Sequence, residues 1–170
     1  MDAAVLIPLY RDADGEVHVV LLRRSEHGRH GGQLAFPGGI REPADASAQA
    51  TALREAEEEI GLPPAAVEIL EPMPELVTRT TGFRITPFLA RIVPPPAWRP
   101  DPKEVAEVID VRISDLLHPD AYGESVEQFP SWPEPVTIAF YRVGSHRLWG
   151  ATYRILAPLL PRIVAGEWPL

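Results

Sequence analysis

The run Arg54 to Leu62 (REAEEEIGL) constrains the chain more than any other stretch, because it reads only as a helix and places its charges unevenly. Glu55, Glu58 and Glu59 stand at i, i+3 and i+4, so one helical face carries all three carboxylates. Ala52, Leu53, Ala56 and Ile60 recur at helical spacing and form an apolar face that packs on a core. Gly61 followed by Pro63 and Pro64 stops the helix, and Ser47 or Asp45 is expected to cap its start. Three like charges on one face repel, which raises carboxyl pKa values. The remedy for such a concentration of hard oxygen ligands is a divalent cation, Mg2+ or Mn2+. A solvated surface helix is the competing reading, and Glu57 fits it. Arg54 either steadies the acids through an i, i+4 pair with Glu58 or is a surface partner only.

The chain has 170 residues, 45% hydrophobic and 24% charged, which suffices for one domain with its own core over residues 1–170. Its net charge of -8 argues against affinity for nucleic acid or an anionic membrane. Having no cysteine, it has no disulfide, zinc-thiolate site or thiol nucleophile. No apolar run reaches membrane-spanning length and no basic secretory flank opens the chain, so a cytoplasmic location is expected.

Ala3 to Tyr10 and Val17 to Leu22 are β-rich runs around the hairpin signal Asp12-Ala13-Asp14-Gly15. A short strand, Gln33 to Phe36, enters a turn at Pro37-Gly38-Gly39. Val67 to Val77, Phe83 to Val93, Glu104 to Ile113 and Val136 to Val143 are further expected strands, with a helical turn at Ser114 to Leu117. Pro119 to Pro135 is read as a surface loop. Gly150 to Ala165 has helical periodicity broken by Pro158 and Pro161. The sum is an α/β (α+β) chain with about two helices.

The acidic run resembles the box of the Nudix hydrolases, Gly-x5-Glu-x7-Arg-Glu-U-x-Glu-Glu-x-Gly-U with U aliphatic. Arg54, Glu55, Ala56, Glu58, Glu59, Gly61 and Leu62 fill its second half. The first half differs: counted from Gly39, Asp45 stands where the box has Glu, and the stretch to Arg54 is one residue longer. Neither Asp45 nor Glu42 is thereby given a role. The resemblance implies the Nudix fold, a mixed β-sheet sandwiched between helices. It also implies metal-dependent hydrolysis of a nucleoside diphosphate linked to another moiety, with Arg54, Glu55, Glu58 and Glu59 catalytic. Gly39, through its carbonyl, with Glu55, Glu58 and Glu59 would hold Mg2+ or Mn2+.

Leu21 to Gly39 (LLRRSEHGRHGGQLAFPGG) is similar to the upstream signature of the coenzyme A pyrophosphatase branch. Thr80-Thr81-Gly82-Phe83, Thr86-Pro87-Phe88 and Leu148 to Thr152 resemble its later segments. That likeness implies cleavage of coenzyme A to 3',5'-ADP and 4'-phosphopantetheine, with Arg24, Arg29, His30 and Gln33 binding substrate. The box alone equally fits ADP-ribose, a dinucleotide or a nucleoside triphosphate as the small-molecule substrate. A noncatalytic binding module is the remaining alternative, against which the intact glutamates weigh. The general base is left open among a box glutamate, Glu104 and Glu107. Trp149 is expected in the core.

Overall fold

In a computed structural model of the chain, residues 1–27, 30–79, 81–130 and 132–170 are described. The central sheet is built on β1 (Asp2–Arg11), which runs parallel to β7 (Arg84–Ile92). The other edge of β1 is divided. Its C-terminal end pairs antiparallel with β2 (Val17–Arg24), and its N-terminal end with β4 (Gly38–Ile40). The β1–β2 hairpin closes where Asp12 Oδ1 accepts the amides of Asp14 and Glu16, both at 2.9 Å. β3 (Leu34–Ala35) and β8 (Val105–Arg112) flank β2. β5 (Val67–Pro72) and β6 (Leu76–Val77) pair with β7, so the single strand expected over Val67 to Val77 is two. The proline pair at Pro72 and Pro74 lies at this break, where an amide cannot be donated to a ladder.

Alternating side chains of the sheet feed two cores. Leu6, Val20, Leu22, Phe88 and Ala90 point to one face and meet Ala52, Ala56 and Ile60 of α1 (Ala48–Ile60). Ile7, Leu9, Val19, Leu21 and Leu89 point to the other, where α2 (Ile113–Leu117), α3 (Gly150–Leu156) and α4 (Leu160–Val164) cover them. The sheet is thus mixed and sandwiched between helices, as expected. Among the described residues there are four α-helical segments where about two helices were expected: the helical turn expected at Ser114 to Leu117 is the short α2, and the interruption at Pro158 and Pro161 leaves α3 and α4 as separate short helices.

The loop expected over Pro119 to Pro135 contains a strand, β9 (Tyr122–Glu127). It pairs with β10 (Val136–Val143), which pairs in turn with β11 (His146–Leu148). Polar Glu124, Ser125 and Glu127 hid it from an apolar-pattern reading, since its order comes from β10. Gly123 lies opposite Phe140, and a Cβ there would sit 2.6 Å from the ring. Trp149 is half-buried, not core: it precedes α3 and stacks on Phe129 at 5.6 Å between ring centroids.

Candidate active site

The site forms where the divided edge of β1 meets α1. Gly38 and Gly39 belong to strand β4, not to the expected turn. Two glycines are needed for close packing: a Cβ on Gly38 would lie 2.3 Å from the Ala4 carbonyl oxygen, and one on Gly39 would lie 2.4 Å from Glu55 Oε1. β4 therefore runs hard against both β1 and the acidic helix.

Ser47 caps α1, its Oγ accepting the Ala50 amide at 3.1 Å, and the Gly61 amide closes the far end on the Glu57 carbonyl. Between these caps the three acids occupy different environments. Glu59 is 3% exposed, and its Oε2 accepts the Gly38 amide at 2.8 Å. Burial pushes its carboxyl up to about 8, with the charges of Glu55 and Glu104 adding to the rise and Gly38 and Arg24 opposing it. Glu55 is half-buried and is also raised, again chiefly by burial. Glu58 is exposed.

Arg54 joins the acids. Its Nε and Nη2 donate to the two oxygens of Asp45 at 2.9 and 3.0 Å, while Nη1 donates to Glu55 Oε1 at 3.1 Å and Glu58 Oε2 at 3.0 Å. Nη2 also reaches the Ile40 carbonyl at 3.3 Å. The guanidinium is more than a surface partner. Asp45, whose role the sequence left open, is buried and holds Arg54 by a two-pronged contact. Hydrogen bonds from Arg54 first, then from the Glu42 amide and the Thr51 hydroxyl, hold its carboxyl well below the usual range. An acid placed in the loop before an arginine-bearing helix was the available signal.

The segment before β8 is tied to the end of α1. Arg99 and Asp101 donate their amides to the Ile60 and Glu59 carbonyls, and the Asp101 carbonyl accepts from Glu104 and Val105. This brings Glu104 close enough for its charge to raise both Glu55 and Glu59. Glu107 instead pairs with Arg23, at 3.5 Å.

Arg24 and His30 line a cavity of about 180 Å³ together with Ser25, His27, Gly31, Lys103 and Glu104. Gln33 lies outside that wall and acts through its backbone, the Arg24 amide donating to its carbonyl at 2.9 Å. Arg29 lies outside the described residues.

The donor set suits a hard divalent cation: Glu55, Glu58, Glu59 and the Gly39 carbonyl supply only oxygen, and buried Glu59 has no cation in ion-pair contact among the described residues. Among those residues no three His, Cys, Asp or Glu side chains already surround one point, since Arg54 draws Glu55 and Glu58 while Glu59 turns to Gly38.

The profile of the NUDIX domain matches residues 1–132. The chain is 41% identical over 153 residues to a protein of Escherichia coli (strain K12) described as an uncharacterized Nudix hydrolase, NudL, spanning 89% of this chain and 71% of that one. A protein of the same description from Shigella boydii serotype 4 (strain Sb227) is 40% identical over the same shares. Among solved structures, RenU, a Nudix hydrolase from M. Smegmatis, is similar at a TM-score of 0.58 and 26% identity, over 69% of this chain and 76% of its own. A MutT/nudix family protein from Enterococcus faecalis shares the fold over 96% of this chain and 62% of its own, at a TM-score of 0.64 and 19% identity. Sequence and fold agree that the chain belongs to the Nudix hydrolase family.

Proposed function

We propose that this Nudix hydrolase is a Mg2+- or Mn2+-dependent diphosphatase acting as a single domain, and that coenzyme A is its substrate, cleaved to 3',5'-ADP and 4'-phosphopantetheine. One observation carries the reaction class: α1 presents Glu55, Glu58 and buried Glu59 beside β4, and Arg54, shared among Glu55, Glu58 and Asp45, leaves Glu59 with no cation in direct contact among the described residues. Coenzyme A is supported by the segment Leu21 to Gly39, which resembles the signature of that branch.

Glu55, Glu58, Glu59 and the Gly39 carbonyl would hold the cation. When bound there, it would supply Lewis-acid chemistry, making water a better nucleophile and offsetting the charge of the departing phosphate. The chain's own residues do the rest. Arg54 keeps Glu55 and Glu58 in place on α1, and the Gly38 amide orients Glu59. Of the two loop acids, Glu104 is suited to take a proton from the attacking water, because its charge acts on Glu55 and Glu59 whereas Glu107 is engaged by Arg23. The water oxygen bonds to phosphorus as the bridging P–O bond breaks, and the bridging oxygen leaves on the other phosphate.

The test is a substrate panel of coenzyme A, ADP-ribose, a dinucleotide and a nucleoside triphosphate, with products identified by mass. Preferred conversion of coenzyme A to the two named products is expected. Faster cleavage of ADP-ribose than of coenzyme A would overturn the substrate assignment and leave the reaction class standing.

A further inference from the structure

The cavity of about 180 Å³ beside the acids has walls of opposite charge. Glu104 stands on the side that reaches Glu55 and Glu59, while the basic residues Arg24, His27, His30 and Lys103 belong to the rest of the lining. Two elements far apart in sequence meet here, and their junction is fixed. Ser25 is buried; its Oγ donates to the Lys103 carbonyl at 3.0 Å and its amide to the Glu104 carbonyl at 2.8 Å. The Lys103 amide is held in turn by Asp101 Oδ1 at 3.0 Å, and Asp101 is tied to Glu59 through the backbone. The Lys103 backbone is thus tied both to the segment bearing Arg24 and, through Asp101, to the end of the acidic helix.

Neither the Arg24 guanidinium nor the Lys103 ammonium has a carboxylate at ion-pair distance among the described residues. The volume is below the roughly 300 Å³ at which pockets accept a whole ligand, so the cavity takes one group of a larger molecule. Arg24 and Lys103, the two permanent cations of the lining, suit a phosphomonoester with its three oxygens and nearly two negative charges. The scissile diphosphate needs a cation to approach the α1 acids. This cavity brings its own.

We propose that the cavity between Arg24 and Lys103 is a subsite for a phosphomonoester that the substrate carries outside its diphosphate, with Lys103 as a specificity-determining residue; this rests on reading the α1 acids as the diphosphate site. In coenzyme A that group is the 3'-phosphate.

Calorimetry in the presence of chelator tests it, with adenosine 3',5'-bisphosphate and adenosine 5'-monophosphate as probes. The wild type is expected to bind the bisphosphate about tenfold or more tightly than the monophosphate, as one charge-assisted contact at a half-exposed site allows. Lys103→Ala should reduce that ratio severalfold, and Lys103→Arg should retain most of it. Equal affinities in the wild type, or equal losses for both probes in Lys103→Ala, would overturn the subsite. Hydrolysis of coenzyme A by the wild type is followed separately by product mass. Cleavage without the metal-free preference sinks the subsite alone, whereas a preference that persists in a protein cleaving no diphosphate sinks the reading of the α1 acids and leaves the phosphate subsite.

Discussion

Arg54 lets an acidic helix fold against a glycine-rich strand, and Asp45 is its strongest partner. A carboxyl held below its ordinary range stabilises the fold at pH values above that range, and the contribution is lost as pH falls through it. The stability gap between wild type and Asp45→Asn should therefore be full above about pH 4 and shrink below it. Thermal unfolding of both proteins across that interval checks this; a gap that widens in acid would contradict the assignment. Glu59 behaves in the opposite sense. With its carboxyl raised from 4.5 to about 8, the protonated form suits the metal-free fold, and the stability it brings is lost as pH rises from 4.5 toward 8. A cation needs the carboxylate. Apparent Mg2+ affinity should accordingly rise by up to about tenfold per pH unit below pH 8 and level off above it, as calorimetry would record; a flat profile would remove Glu59 from the ligand set.

At the scale of elements, β4 and α1 form the working unit, and their two glycines have different duties. Gly38→Ala forces a methyl group onto the Ala4 carbonyl, a backbone atom that cannot step aside, and should destabilise the protein by about 1–3 kcal/mol. Gly39→Ala meets only the Glu55 carboxylate, which can swing. It should cost little stability but lower turnover about tenfold or more by displacing a proposed ligand, so melting temperature and kcat for the two variants should separate. The helix was legible in the sequence because its caps, apolar stripe and acid spacing are local. β4 was not, since a Pro-Gly-Gly sequence signals a turn and only the pairing of Gly38 with Val5 and Gly39 with Ala4 makes it a strand. The same holds for β9, whose order comes from β10. Asp45 was visible as an acid, but its grip on Arg54 depends on how the intervening loop folds back.

Across the whole molecule, the mixed sheet separates two cores, and the acids lie at the face covered by α1. The amides of Arg99 and Asp101 fasten the segment that leads to Lys103 and Glu104 to the end of α1, the helix that bears Glu59. Among the described residues no helix is long and apolar enough to cross a membrane. The central claim is that the α1 carboxylates bind a divalent cation and thereby hydrolyse a diphosphate. Its most direct test is turnover of coenzyme A by wild type and Glu59→Gln, each stripped with chelator and then supplied with Mg2+ or Mn2+. The side-chain amide oxygen introduced by this substitution would still accept the Gly38 N–H, so the fold is retained while the charge is lost. Wild-type activity should vanish with chelator and return with metal, and the variant should remain about 100-fold or more slower with metal present. Hydrolysis that survives the chelator, or near-normal turnover by the variant, would contradict the claim.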